Sequence, residues 1–404
     1  MTEKKKITDK SFDFDTVYDR RGWGSEKWDV QPGELPMWVA DMDFRTAPAI
    51  IDALRRRTEH GIFGYTGISD EWYEAYINWW KTRHHFEMQK EWLIFTTGVV
   101  PALSSLVRRL TNPAEKVLVM TPIYNIFFNS IVNNGRVPLE CPLRLVDGTF
   151  SLDFAQLEKD LADPQTTLLL FCNPQNPGGH IWSKEELTRI AELCADNGVR
   201  VVSDEIHCDI VREGKEYVPF ASVSETAARI SVSCMSPSKA FNTAGIHSAA
   251  VCVPDLHLRN RVSRGLNNDE VAEPNVFAIS AAIAAYTEGG EWLDALNRYI
   301  DDNLKTAVKF IREEIPELVP IPGDATYLLW VDIRKLPHGG KNFAAFLRKR
   351  TGLYISAGRQ YGEAGEGFVR INAACPRSVL QDGLNRLQEG VLMFQRMAES
   401  AGRE

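Results

Sequence analysis

Short hydrophobic runs alternate with longer amphipathic stretches through the middle of the chain. Such runs, separated by helix-length segments, are typical of buried and mostly parallel strands. Between two of them, the segment 183–197 begins Ser-Lys-Glu-Glu, the spacing of a helix capping box, and continues amphipathically to Gly198. This strand–helix–strand order predicts the α/β class. The predicted strands are KVLVM (116–120), TTLLLFC (166–172), VRVVSD (199–204), ISVSC (230–234) and SAAVCVP (248–254).

The pattern changes near residue 290. A long helical pattern over 291–315 precedes strand patterns at 326–333 and 368–372, and a final helix is predicted from about Ser378. This is an α+β arrangement, so we predict a second, smaller domain. The first 45 residues lack the strand rhythm and are expected to pack on the small domain or on a partner subunit. The predicted domains are 46–289 (large, mostly parallel sheet) and, together, 1–45 and 290–404 (small).

Composition and charge narrow the functional class. The 404 residues are 44% hydrophobic and 25% charged, as in ordinary globular proteins, and the net charge of −8 argues against nucleic-acid binding. The amino terminus lacks the apolar core of a secretory signal, and no apolar stretch reaches the ~18 residues of a membrane helix. The seven cysteines are scattered and odd in number, so we expect neither disulfides nor a metal site. A cytoplasmic protein without nucleic-acid or membrane partners is expected.

Two strand ends carry groups that suggest chemistry, because function in α/β proteins concentrates in the loops after the strands. Lys239 follows ISVSC and the hydroxyls of Ser236 and Ser238. It is either a surface lysine or an imine-forming lysine whose neighbouring hydroxyls bind a phosphate. Asp204 ends a buried run, where an ionised carboxylate needs a partner. That partner is either structural, as in a cap or salt bridge, or the ring nitrogen of a pyridoxal cofactor.

Further candidates have equally ordinary alternatives. Asn176 lies between two prolines, where it makes a turn or donates to a ring oxygen of a cofactor. Gly98 and Val99 have the form of a helix amino terminus, which suits a phosphate. Tyr124 stacks on a cofactor or belongs to the core. Arg370, in GFVRIN, is either exposed at a sheet edge or a bidentate clamp for a substrate carboxylate. No P-loop is present, and no GxGxxG follows a strand.

Taken in order, these motifs resemble the fold-type I enzymes that use pyridoxal 5′-phosphate (PLP), the aspartate aminotransferase superfamily. The resemblance covers nearly the whole chain. It implies a large, mostly parallel α/β domain that binds PLP and a smaller α+β domain. The motifs are TTG ending at Gly98, an aromatic at 124, NPQNPGG at 173–179, Asp204, SPSK at 236–239 and Arg370.

Within that superfamily the chain is most similar to the MalY/PatB type of cystathionine β-lyase, a C–S lyase. It departs from ordinary transaminases in reading Asp-Glu-Ile-His at 204–207, where they usually carry DEVY. His247 is the only candidate for the basic residue that they often place after the lysine. The segments that carry the similarity are FDFDTVYDRRGWGSEKWD (12–29), PMWVADMDF (36–44), FGYTG (63–67), TTGVVPALS (96–104), SDEIHCDI (203–210), SPSKAFN (236–242) and FVRINAACPRSVL (368–380).

The resemblance implies specific roles for the residues around the cofactor ring. Lys239 is expected to hold PLP as an imine and then to act as the base that removes the Cα proton. Asp204 is expected to pair with the pyridine nitrogen and Asn176 with the ring hydroxyl. Tyr124 is expected to stack on the ring. His207 is expected to support the ring or the surroundings of Asp204, with a satisfied core histidine as the alternative.

The resemblance also implies roles away from the ring. Gly98, Val99, Ser236 and Ser238 are expected to hold the phosphate. Tyr65 is expected to reach the phosphate of a neighbouring subunit, which implies a homodimer with shared active sites. The substrate-binding candidates are Arg370, for the α-carboxylate, and Trp38 and Asp41, near the substrate entrance.

The reaction implied is α,β-elimination on a small amino-acid substrate with sulfur at Cβ. Cystathionine, cysteine or a related S-substituted amino acid would give pyruvate, ammonia and a thiol. Two alternatives remain open at this point. One is a class I/II aminotransferase, which shares the same lysine, and the other is a PLP-binding regulatory protein that acts through a protein partner.

Overall fold

The structure is a computed structural model that describes residues 12–146 and 148–401. Most of the amino terminus, for which no secretory signal is expected, lies outside these residues. The strands are β1 (Leu35–Pro36), β2 (Leu93–Thr96), β3 (Lys116–Thr121), β4 (Val137–Pro142), β5 (Arg144–Val146), β6 (Thr149–Ser151), β7 (Thr166–Cys172), β8 (Arg200–Asp204), β9 (Ser231–Met235), β10 (Ala249–Cys252), β11 (Val319–Ile321), β12 (Leu328–Asp332), β13 (Leu353–Tyr354), β14 (Ser356–Ala357) and β15 (Phe368–Asn372). The helices are α1 (Pro48–His60), α2 (Asp70–His84), α3 (Val99–Leu110), α4 (Ile126–Val132), α5 (Phe154–Leu161), α6 (Lys184–Asp196), α7 (Glu225–Ile230), α8 (Leu256–Asn268), α9 (Ala278–Glu288), α10 (Gly290–Glu314), α11 (Phe343–Thr351) and α12 (Arg377–Ala401).

A seven-stranded sheet forms the centre, in the order β2-β10-β9-β8-β7-β3-β4. Neighbouring strands are parallel except at β10, which runs antiparallel to both β2 and β9. The predicted α/β class with a mostly parallel sheet is therefore confirmed. Strands β2 and β4 were not predicted, because β2 has only four residues and β4 is exposed or half-buried along most of its length.

Helices cover both faces of this sheet. Residues of α3, α4 and α8 share one buried cluster with the strands, and residues of α5, α6 and α7 share another. Burial on both faces explains why the strands appear as continuous apolar runs. The predicted capping box opens α6: the Glu186 N–H donates to Ser183 Oγ at 3.1 Å, and the Ser183 N–H donates to the Glu186 carboxylate at 2.8 Å.

A smaller antiparallel sheet, β11-β12-β15-β14, packs with helices α10 and α11. This matches the α+β pattern predicted after residue 290. The amino-terminal segment lies against this part of the chain, because β1 pairs in parallel with β13. Packing on the small domain was one of the two positions expected for this segment. The division into 46–289 and the remainder stays a prediction.

All seven cysteines are buried and unpaired, in agreement with the expectation of no disulfides. Among the described residues, none of the helices combines the length and the apolar character that crossing a bilayer requires.

The loop after β7 touches the segment before β12 at a glycine. Gly179 has φ +69°, and a Cβ there would lie 2.5 Å from the Ala325 carbonyl oxygen and 2.9 Å from Gly323 Cα. The Ala325 N–H also donates to the Gly179 carbonyl at 2.9 Å. Two backbones therefore meet where only a glycine fits.

We expect Gly179→Ala to lower the free energy of unfolding by roughly 3 kcal/mol, because the left-handed backbone and the overpacking each add to the cost. The matched control is Gly198→Ala, where φ is +70° but nothing lies within 4 Å, so only about 1 kcal/mol should be lost. Urea denaturation measures both. Equal losses in the two variants would contradict the close contact.

Candidate active site

A cavity of about 190 Å³ lies at the carboxyl edge of the central sheet, where loops after β2, β3, β7, β8 and β9 meet. This edge is where α/β sheets usually bind ligands. The structure brings together nine of the residues predicted from the sequence. They are Gly98, Val99, Tyr124, Asn176, Asp204, His207, Ser236, Ser238 and Lys239.

One end of the cavity offers hydrogen-bond donors. Helix α3 begins at Val99 directly after Gly98, and its first N–H groups have no partner within the helix. The hydroxyls of Ser236 and Ser238 lie beside it in the cavity wall. The Ser236 hydroxyl donates to the Ser248 carbonyl at 2.7 Å and accepts from the Ser238 N–H at 3.1 Å, which fixes this turn. A helix amino terminus next to hydroxyl groups suits a phosphate.

Asp204 places a carboxyl group in the wall, at the last position of β8. The side chain is buried, and its Oδ1 accepts from the Ile206 N–H at 3.1 Å. Burial raises the pKa of Asp204 to about 7, although this hydrogen bond and the charge of Lys239 oppose the rise. A protonated ring nitrogen facing this group would favour its ionised form and receive a charge-assisted hydrogen bond.

His207 presents a neutral ring. Burial, with the positive charges of Lys239 and Arg370, lowers the pKa of His207 to about 3. Its Nδ1 atom is buried without a hydrogen-bond partner among the described residues, and the ring lies edge-on to Tyr327 at 5.9 Å. A buried polar atom of this kind usually has a partner, which here points to a polar group filling the cavity.

Lys239 follows β9 and points its amine across the cavity. Burial lowers the pKa of Lys239 to about 8, and Arg370 adds to this, whereas Asp41 and Asp204 oppose it. The amine is therefore partly neutral near neutral pH, as a general base requires. Nζ donates to the Ala40 carbonyl oxygen at 2.6 Å.

Arg370 lies beside the cavity, in the second sheet, and contacts the cavity wall through Asn176. It is buried in β15, so the alternative of an edge-exposed arginine is wrong. Nη1 donates to Asn176 Oδ1 at 3.2 Å and Nη2 to the Trp38 carbonyl at 2.8 Å, while Nε is buried without a partner in the described part of the chain. Its guanidinium lies 4.8 Å from the Tyr361 ring centroid. This side chain retains donor capacity for a carboxylate.

Trp38, Asp41 and Tyr65 also lie outside the cavity wall. Trp38 stacks on Tyr354 with 4.8 Å between ring centroids, and Asp41 forms an ion pair with Arg20 at 2.6 Å. Tyr65 is fully exposed and lies in a separate surface cleft.

Sequence reasoning missed two groups near Lys239. Ala40 acts through its backbone carbonyl, which no residue type reveals. Tyr327 lies directly before β12, within a run that predicts an ordinary buried strand, and its hydroxyl donates to the same carbonyl at 2.8 Å. The only signal available was the position of Ala40 between Trp38 and Asp41, both of which were predicted.

The cavity fits the cofactor that the resemblance implies. A phosphate would meet the donor end of the cavity, a pyridine nitrogen would meet Asp204, and an aldehyde carbon would meet the amine of Lys239. A polar ring in this space would give the unpartnered Nδ1 of His207 a polar neighbour, and a protonated ring nitrogen would lower the raised pKa of Asp204.

A second polar cluster lies away from the cavity. One ligand-capable atom from each of His84, Cys208 and Asp209 lies within 4.8 Å of the others. His84 Nε2 is 2.8 Å from Asp209 Oδ1, and Trp79 Nε1 donates to the same oxygen at 2.9 Å. We interpret this cluster as a structural hydrogen-bond network, because these atoms already bind one another.

The sequence model of the family Aminotransferase class I and II matches residues 36–387. The chain belongs to this family. It is 42% identical to cystathionine β-lyase PatB of Bacillus subtilis over 93% of this chain and 98% of that protein, and 36% identical to protein MalY of Escherichia coli over 92% and 97%. These similarities confirm the MalY/PatB-type resemblance.

Solved structures of the family agree with the fold. Cystalysin from Treponema denticola, which contains a pyridoxal 5′-phosphate cofactor, superimposes with a TM-score of 0.90 at 34% identity, covering 94% of this chain and 99% of that one. The PLP-bound C–S lyase from Staphylococcus hominis gives 0.89 at 34% identity with the same coverage. The prediction of a fold-type I PLP-enzyme fold is confirmed.

Replacing Asp204 by asparagine should stabilise the cofactor-free protein. The folded-state pKa of about 7 lies above the ordinary value of 3.8, so the folded state binds the proton more tightly, and stability is lost as pH rises between the two values. We expect the wild type to lose up to about 4 kcal/mol across this window and Asp204→Asn to lose much less.

Urea denaturation of cofactor-free protein near pH 4 and near pH 7 measures the effect. Asp382→Asn is the control, because it removes a half-exposed carboxylate on α12 that forms an ion pair with Arg386 and does not line the cavity. Identical pH profiles for Asp204→Asn and the wild type would contradict the raised pKa.

Proposed function

We propose that the protein catalyses the PLP-dependent α,β-elimination of L-amino acids that carry sulfur at Cβ. Cystathionine, cysteine or a related S-substituted amino acid would yield pyruvate, ammonia and a thiol. The observation that carries this proposal is the single cavity that joins Lys239, Asp204 and the phosphate-type donors. It occurs in a chain 42% identical to a cystathionine β-lyase.

The roles of the residues follow from their positions. The cofactor, when bound, supplies an electron sink for negative charge that develops at the substrate Cα. The amino terminus of α3 with Ser236 and Ser238 would hold its phosphate, and Asp204 would keep its ring nitrogen protonated. Asn176 would pair with the ring hydroxyl, and His207 and Tyr124 would support the ring.

Arg370 and Lys239 would carry out substrate binding and proton transfer. Arg370 binds the α-carboxylate through the donor that it leaves unpaired, which orients the Cα–H bond. The neutral amine of Lys239 takes the Cα proton, and a positioned base of this kind contributes typically 10²–10⁴-fold to the rate. The electron pair of the broken C–H bond then forms the second Cα–Cβ bond as the C–S bond breaks, and sulfur leaves with the C–S electron pair as a thiolate.

Aminotransfer is the second candidate, since the family also contains aminotransferases. It needs the same lysine, carboxylate and arginine, so the cavity alone does not separate the two reactions. The sequence Asp-Glu-Ile-His at 204–207 and the similarity to PatB and MalY favour elimination. A purely regulatory PLP-binding protein is disfavoured, because the residues for proton transfer are all in place.

The test follows absorbance, pyruvate and free thiol when L-cystathionine is added to the PLP-loaded protein. We expect a band near ~420 nm, with pyruvate and thiol released in equal amounts. Lys239→Ala should remain folded but lose the band and all turnover, because it has no amine to hold the cofactor or to move the proton. Full activity in that variant would contradict the proposal.

The two competing functions give other results. Amino transfer to a keto acid without thiol release would establish the aminotransferase. PLP binding without turnover of either kind would support the regulatory protein.

We also propose a homodimer in which Tyr65 completes the active site of the partner. Ile62, Phe63 and Tyr65 are 66%, 55% and 104% exposed, an apolar surface that a monomer would leave in water. Phe63 and Tyr65 line a surface cleft together with Ile246, whose neighbour His247 lines the cavity. The apolar surface thus adjoins the phosphate end of the site.

Mixing one inactive variant with one that binds PLP weakly tests this dimer. Lys239→Ala lacks the base, and Tyr65→Ala should bind PLP about tenfold more weakly, because it lacks one hydrogen bond to a charged group. After joint refolding, half of the sites in hybrid dimers have neither substitution, so activity should return at PLP concentrations too low for Tyr65→Ala alone. Activity equal to the sum of the separate variants would contradict a shared site, and sedimentation measures the dimer itself.

A further inference from the structure

Five consecutive carbonyl groups near the cavity are each held by side chains from other parts of the chain. We name residues 38–42 the strap. It has no regular secondary structure, yet each of its carbonyls accepts at least one side-chain hydrogen bond. The donors are Arg370 and Ser356 to residue 38, Asn372 to residue 39, Tyr327 and Lys239 to residue 40, Asn372 and Lys27 to residue 41, and Asn242 and Arg20 to residue 42.

Ala40 lies at the centre of the strap and faces the amine of Lys239. Its oxygen accepts from Lys239 Nζ at 2.6 Å and from the Tyr327 hydroxyl at 2.8 Å, which uses both lone pairs. Asn372 Nδ2 donates to the carbonyls of Val39 and Asp41 on either side, at 2.6 Å each. The direction of the Ala40 carbonyl is therefore fixed from three sides.

Tyr327 is suited to hold that carbonyl permanently. Its side chain is fully buried, and burial raises the pKa of its hydroxyl far above the ordinary value, so it remains a donor at any working pH. Tyr327 lies directly before β12, whereas Lys239 follows β9, so the two donors are next to strands of different sheets. A fixed acceptor of this kind keeps an amine in one place without neutralising it.

We propose that Tyr327 is a positioning residue that, through the Ala40 carbonyl, holds the amine of Lys239 beside the substrate Cα. The proposal rests on the proposed elimination and deepens it. When the Lys239 amine has taken the Cα proton, it is an ammonium whose N–H the Ala40 oxygen accepts. The C–H bond has broken and an N–H bond has formed. The C–H electron pair then becomes the second Cα–Cβ bond, while the C–S electron pair leaves with sulfur.

Tyr327→Phe removes only the hydroxyl and tests the proposal. In the loaded enzyme we expect kcat to fall about tenfold or more with little change in KM, because a misplaced base slows proton transfer and not binding. The primary isotope effect of α-deuterated substrate on kcat should rise, since proton removal becomes slower than the other steps. A purely structural role would leave that isotope effect unchanged.

A second measurement uses the cofactor-free protein. Acylation of lysines at a fixed pH, followed by peptide mass spectrometry, reports how tightly the Lys239 amine is held. We expect Lys239 to react several-fold faster in Tyr327→Phe, because its acceptor is no longer fixed, with other lysines unchanged.

A crystal structure of loaded wild type with a non-eliminating amino acid should show Nζ within hydrogen-bonding distance of the Ala40 oxygen. This measurement does not depend on whether the variant folds.

Tyr76→Phe is the matched control, since Tyr76 is fully buried in α2 and does not line the cavity. It should match the wild type in isotope effect and in Lys239 acylation. If Tyr327→Phe matches this control in both, or if Nζ lies away from the Ala40 oxygen in the loaded structure, the positioning role is wrong while the elimination stands. Absence of pyruvate and thiol from the wild type would instead overturn the proposed function.

Discussion

A carboxyl group and an amine share one buried space at the ends of β8 and β9, and the rest of the site is arranged around them. Burial moves both pKa values toward neutrality, that of Asp204 to about 7 and that of Lys239 to about 8. A charged or polar molecule that entered the cavity would change both pKa values, and shifted pKa values of this kind are concentrated at functional sites.

The parallel sheet makes this juxtaposition possible. Strands β7, β8 and β9 lie side by side and point the same way, so the loops that follow them meet at one edge. Asn176, Asp204 and Lys239 are far apart in the sequence but follow these three neighbouring strands. Each strand end fixes one group, and the phosphate-type donors come from a helix start beside them. The geometry is therefore a property of strand order.

The strand ends are also what made much of the site predictable. A polar residue directly after a buried apolar run, as at Asp204 and Lys239, reveals itself in sequence because the change of character is abrupt. The α/β class followed from the same runs, and the later α+β part from its helical period. Strand β4 lacks such a run, and the run of β2 is short, so both were missed. Arg370 could be identified as a candidate, but its burial depends on packing between strands of a second sheet, which local pattern does not encode.

The strap shows most clearly what a sequence pattern cannot predict. Its contribution to the cavity is a backbone carbonyl, and any residue type could provide it, so Ala40 carries no chemical signal. What specifies the carbonyl is the set of donors around it, from Tyr327, Asn372 and Lys239, which come from three separate segments. Because Arg370 contacts the strap at Trp38 and Lys239 contacts it at Ala40, both cations of the site are tied to one short piece of backbone. A substrate that drew Arg370 away from Trp38 would therefore act on the same segment that holds the base, which couples carboxylate recognition to the position of the amine.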